Sequence, residues 1–142
     1  MLNANYILCL VDGEGSFTAY IRKLNDSRER KRRVRIEPKF YLKLIEEDKR
    51  ILYELKKYFG CGNVYFQRDS RKNHKDCYRY EVTDRKMINE KIIPFFLANQ
   101  LKLKSKLKDF RLFCRIMDGI KNNKHLTDKG LCKLKGIKDK MH

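Results

Sequence analysis

Apolar and polar positions along this 142-residue chain change their period several times, and each change marks an element. Tyr6-Ile7-Leu8-Cys9-Leu10-Val11 is unbroken apolar sequence that ends at Asp12-Gly13-Glu14-Gly15, which predicts a helix over about Ala4 to Asp12 with Asn3 or Asn5 as cap. The period then falls to two. Phe17, Ala19 and Ile21 alternate with Thr18, Tyr20 and Arg22, and Val34 to Leu44 sets Val34, Ile36, Pro38, Phe40, Leu42 and Leu44 against Arg35, Glu37, Lys39, Tyr41 and Lys43. These are strands with one face for a core, and Pro38 predicts an edge position or a bulge. From Asp48 the period is helical through Ile51, Leu52, Leu55, Tyr58 and Phe59, and Gly60-Cys61-Gly62 ends it. Two more strands are predicted at about Asn63 to Arg68 and Asp76 to Thr83, with Tyr78, Tyr80 and Val82 core-facing. Asp84 is placed to cap a helix that Pro94 should stop. A long helix from about Leu101 to Ile120 is read on Leu103, Leu107, Phe110, Cys114 and Met117, followed by a helical tail over about 121–142.

The order α-β-β-α-β-β-α-α implies an α+β fold: an antiparallel sheet of paired hairpins, helices on one face, the other face open. With 2 prolines, 7 glycines and no linker-like stretch, residues 1–142 read as a single domain. Composition narrows the partner. Lys and Arg number 35 against 18 Asp and Glu, a formal net charge of +17, which asks for a polyanion. No run approaches the roughly 18 to 20 apolar residues of a membrane span, and no secretory leader is expected. The 5 cysteines are widely spaced with no C-x-x-C pair, so they read as free thiols in a reducing compartment, an organelle or a bacterial cytoplasm.

Alternation gathers charge on the open face. Tyr20, Arg22, Arg35, Glu37, Lys39, Tyr41, Lys43, Tyr65, Gln67, Arg79 and Glu81 fall on that side, side chains of the kind that hydrogen-bond base edges. Arg30, Arg32 and Arg33 in the first hairpin loop, and Arg71 and Lys72 in the second, suit phosphates. The other chemical candidate is Glu14. A carboxylate between two glycines, at the end of a rigid element, has clearance for a metal bridging a phosphate, and Gly13 and Gly15 are the residues that would turn the backbone sharply there.

The nine residues Ile7 to Gly15 resemble the signature of the LAGLIDADG homing endonucleases. The likeness continues through Phe59-Gly60-Cys61-Gly62, Pro94-Phe95-Phe96, Leu101-Lys102-Leu103-Lys104 and Leu126-Thr127…Gly130-Leu131. Leu8 and Cys9 depart from it, standing where the family has small residues. The resemblance implies Glu14 as a Mg2+ ligand together with the backbone carbonyl of Gly13, Asp12 as a residue that shapes the helix end, and Lys104 as the basic residue near the scissile phosphate, with Lys102 as its rival. It implies water as nucleophile and short 3′ overhangs. One signature per chain implies a homodimer joined through the first helices, with Ile7, Leu8, Leu10 and Val11 at the seam, acting on double-stranded DNA. Intron RNA, bound as a splicing maturase binds it, is the competing partner.

Overall fold

The computed structural model describes residues 1–23 and 34–142. Helix α1 (Ala4–Glu14) starts as its cap predicts, Asn3 Oδ1 accepting from the Tyr6 N–H at 2.8 Å. It runs two residues further than expected, so Glu14 belongs to its last turn. No sharp glycine turn comes after it. Gly15 is extended at φ −78°, ψ 159°, and its value lies in closeness instead: a Cβ there would stand 2.6 Å from Val11 Cγ1 and 2.9 Å from the Val11 carbonyl oxygen. A Cβ at Gly13 would meet nothing within 4 Å. The glycines that do need the left-handed region are Gly60 (φ 68°), which caps α2 (Lys49–Phe59), and Gly62 (φ 85°).

The sheet joins two antiparallel hairpins in the order β1-β2-β4-β3, from β1 (Gly15–Lys23), β2 (Val34–Ile45), β3 (Asn63–Gln67) and β4 (Cys77–Val82). Pairing Phe17 with Phe40, and Phe40 in turn with Val82, sets a register that sends Phe17, Ala19, Ile36, Phe40, Leu42, Tyr80 and Val82 into the core beneath the helices. Pro38 lies in a central strand, against the expectation of an edge. β4 pairs with β2 only from Phe40 onward, so the missing donor faces ground that β4 does not reach. Two residues away, the Ile36 carbonyl accepts from Arg85 Nη2 at 2.7 Å on that open side.

Asp84 caps α3 (Arg85–Met87) by accepting from the Met87 N–H at 3.0 Å. Pro94 does not stop the helical path. A π-turn over Ile88–Ile92 leads directly into α4 (Ile93–Ala98), with the Ile93 N–H reaching back five residues to the Ile88 carbonyl. The proline therefore enters as an early residue of a fresh turn, where its absent donor costs little. Helix α5 (Lys104–Lys121) begins three residues late and buries Phe110, Phe113, Ile116, Met117 and Ile120, while Leu103, read from sequence as the first core position, is 51% exposed. Phe17, Phe40, Phe96, Phe110 and Phe113 form the centre of the core, with ring centroids 5.1 to 5.8 Å apart in the contacting pairs. Helix α6 (Asp128–Asp139) closes on α5 where Leu134 packs over Gly119.

Candidate functional site

The end of α1 is tied to the start of α5 by a buried carboxylate. Asp12, 8% exposed, accepts from the backbone N–H of Lys102 through Oδ2 at 2.8 Å and from that of Leu103 through Oδ1 at 3.2 Å. Leu103 offers α5 no side-chain cap, so Asp12 supplies the negative charge at the positive end of that helix. The same junction is fastened by Lys106, whose Nζ donates to the carbonyl of Gly15. Glu14 stands between these fastenings. It is exposed, and no described residue forms an ion pair or hydrogen bond with its carboxylate. The last carbonyls of α1 have no intrahelical partner beyond the Gly15 N–H bound to Val11, which leaves oxygen donors around Glu14, the Gly13 carbonyl among them. Exposed carboxylate, backbone oxygen and open space at Gly13 make a donor set that suits a hard divalent cation.

Among the described residues, no hydrogen bond or ion pair joins the side chain of Lys102 or Lys104 to the end of α1. Lys102 contributes its backbone, and Lys104 points into an open groove on the outer side of α5 with Leu107, Lys108, Arg111 and Arg115. Lys106 is the lysine that reaches the α1 end. The period of α5 carries the signal for it: Lys106, Phe110, Phe113, Met117 and Ile120 are spaced four, three, four and three, so Lys106 continues the buried stripe.

The α1 surface requires a correction. Ile7 and Val11 are 0% exposed, packed in the core of their own chain, and cannot form a seam with another. The exposed stripe is Tyr6, Cys9 and Gly13, at spacings of three and four, flanked by half-buried Leu8 and Leu10. An apolar helix carries no compositional mark of which side the core takes, and the i, i+4 pair Ile7 and Val11 takes it here.

On the sheet's open face the register lays out rows of side chains. Ser16, Tyr41, Glu81 and Asn63 form one; Lys43, Arg79 and Tyr65 the next; Tyr20 faces Glu37, and Thr18 faces Lys39. Tyr65 is 50% and Tyr20 38% exposed, with Arg35 and Gln67 also exposed and Glu37, Lys39, Tyr41, Lys43, Arg79 and Glu81 half-buried. Glu81 sits between cations, 3.0 Å from Arg79 Nε and 3.7 Å from Lys39 Nζ, and Lys39 in turn lies 5.0 Å from the Tyr20 ring centroid. Lys138 of α6 comes within 6.0 Å of the same ring, which places a basic helix along the β1 margin of the face. Nothing in the sequence pattern joined the tail to that margin. Backbone register sets Arg22 opposite Arg35, but the Arg22 side chain and Arg30, Arg32 and Arg33 lie outside the described residues.

The second hairpin loop is partly committed to itself. Arg71 grips Asp69 with both arms, Nε to Oδ1 at 3.0 Å and Nη2 to Oδ2 at 2.7 Å, and this holds the Asp69 carboxyl well below the usual carboxylate range. Lys75 is spent on Glu47 at 2.6 Å, while Lys72 is exposed. The loop is therefore a folded basic tip in which Lys72, like Arg68 at its start, is exposed, and Arg71 serves first to shape it.

Comparison with known proteins agrees with this geometry. A sequence profile described as LAGLIDADG endonuclease matches residues 7–117. Over 134 residues, 94% of this chain, the sequence is 33% identical to "Probable intron-encoded endonuclease 3" of Neurospora crassa, covering 23% of that protein. The fold matches the crystal structure of the homing endonuclease I-TnaI with a TM-score of 0.83 and 31% identity, across 99% of this chain and 88% of that one. It also matches I-SmaMI bound to an uncleaved DNA target in the presence of calcium ions, with a TM-score of 0.84 and 26% identity, across 100% of this chain and 45% of that one. The chain thus spans about a quarter of the Neurospora relative and under half of I-SmaMI.

Proposed function

Since the chain belongs to the LAGLIDADG endonuclease family, we propose that it is a site-specific endonuclease that hydrolyses double-stranded DNA with Mg2+, two copies acting together. The observation that carries this reading is the Glu14 carboxylate at the end of α1, exposed and without a partner among the described residues, one residue before the Gly15 carbonyl that Lys106 Nζ binds and where the sheet begins. Glu14 and the Gly13 carbonyl would hold the cation. Bound there, it would supply Lewis-acid stabilisation of the charge on the attacking and leaving oxygens of a phosphodiester. Among the described residues no group of three His, Cys, Asp or Glu gathers into a cage, so the remaining ligands fall to phosphate oxygens, water and a second copy.

The chain's own residues do the rest. Lys106 places a fixed positive charge where negative charge grows on the scissile phosphate, and Asp12 holds α5 so that this lysine keeps its position. Arg35, Lys39, Tyr41, Lys43, Tyr65 and Gln67 face the bases, and Lys72 and Lys138 flank the backbone. The stripe Tyr6, Cys9 and Gly13, with Leu10 beside it, is the side of α1 open to a symmetry mate, and an isologous contact through it would bring two Glu14 residues near one axis. Free thiols accord with a reducing compartment such as an organelle or a bacterial cytoplasm.

A supercoiled plasmid carrying the sequence into which this reading frame is inserted tests the proposal. Linearisation with Mg2+, its loss in EDTA, and a Glu14→Gln variant that binds the same DNA without cutting are the expected results. Cleavage that survives Glu14→Gln would overturn the site, and tight intron-RNA binding with no cleavage under any condition would favour a maturase.

A further inference from the structure

In the middle of the open face one cation differs from the others. Arg79 lies on β4 between Lys43 of β2 and Tyr65 of β3, so it has sheet on both sides, and its side chain is only 20% exposed. Its guanidinium carbon stands 3.8 Å from the centre of the Tyr41 ring, a stacking distance. Glu81 Oε1 is 3.0 Å from Nε, close enough for strong attraction, yet Nε and Nη2 are both buried without an aligned hydrogen-bond acceptor. The group is held by stacking and by charge, and its directional donors are unspent. Arg71 shows the contrast: its fork is fully used by Asp69.

A planar fork with unspent donors, stacked at the centre of a groove-facing sheet, is suited, once it lifts clear of the Tyr41 ring, to two coplanar acceptors at fixed spacing. In the major groove guanine presents that pair as O6 and N7, whereas adenine places a donor where the second acceptor would be. Phosphates run along the groove margins, where mobile, exposed lysines can track them, and Arg79 is at neither margin. We infer that Arg79 is a specificity-determining residue that selects guanine, with Tyr41 and Glu81 as positioning residues. The inference rests on the endonuclease reading. When the fork lifts to meet a base, Glu81 is not left alone, because Lys39 Nζ lies 3.7 Å from its other oxygen.

Selection from a pool of randomised duplexes tests this, with binding then measured for the selected duplex and for a copy with the guanine replaced by adenine. The intact chain should enrich a guanine at one fixed position per copy and prefer it by about tenfold or more. Arg79→Ala should bind both duplexes alike while keeping its other base preferences. Arg79→Lys should lose most of the discrimination, since an ammonium cannot engage both acceptors. Glu81→Gln should weaken discrimination with the salt dependence unchanged, a readout that a merely structural role would not move. Unchanged guanine preference in Arg79→Ala would overturn the inference. So would a uniform loss of affinity with a salt slope reduced by about one, the mark of a phosphate contact. Failure of the intact chain to select any duplex would instead sink the endonuclease reading together with this one, so the two failures are distinct.

Discussion

Lys106 and Lys104 are separated by a half turn of helix, which gives them different surroundings. One lies on the side of α5 that carries Phe110 and Phe113 and reaches the Gly15 carbonyl; the other opens onto an outer basic groove. Lys106→Ala should lower the cleavage rate by about 10² to 10³ while leaving DNA binding nearly intact, and Lys104→Ala should change the rate far less. Single-turnover cleavage at saturating DNA measures both. Sequence pointed to the neighbourhood but not to the residue, because the period of α5 was anchored on Leu103, which sits outside the helix and in solvent. Exposure of Glu14 at the end of α1 was legible because a carboxylate between two glycines after an apolar run stands out. Its glycines were legible only in part: the reason for Gly15 is contact with Val11, a packing fact that spacing does not encode.

Elements meet in this fold through few polar fastenings, and Asp12 is the one on which the site depends. Asp12→Ala would leave the Lys102 and Leu103 N–H groups without their acceptor, at a cost of about 1–3 kcal/mol, read as a lowered urea midpoint, and would reduce cleavage by loosening Lys106. Asp12 was expected only to shape a helix end; its partners are some ninety residues away in sequence, beyond the reach of local pattern. At the other end of α5, His125 lies in the turn before α6 with its Nδ1 buried and unpaired among the described residues. Burial, and then the charge of Arg85, lower its pKa from the ordinary 6.5. A folded-state pKa below the unfolded one means the unfolded chain takes up the proton first, so stability is intact above pH 6.5, falls as pH drops below it, and levels off once the folded pKa is passed. Urea titrations at pH 7.5 and 5 should show this, and His125→Gln should flatten the difference. The strands and α2 matched the sequence closely because alternation and a glycine cap are local signals. The π-turn before Pro94 was not legible, since a proline reads as a stop until the packing of Ile88, Ile92 and Phe96 shows that the segment must continue.

At the scale of the whole molecule, one chain presents Glu14, Lys106 and one open sheet face, which on the proposed mechanism would be half of what cutting two strands requires. The open face, the charge of +17 and the sidedness of the sheet came from alternation and composition alone. The exposed side of α1 did not, since its apolar run concealed which residues the core would take. The most direct test is to mix intact and Glu14→Gln chains in equal amounts, let them exchange, and monitor a supercoiled plasmid bearing the target. If two copies each supply a Glu14 for one strand, about half of the pairs are mixed and should nick one strand, so open circles accumulate in large excess over the unmixed control. Linear product alone, falling only in proportion to the intact chain, would contradict the account.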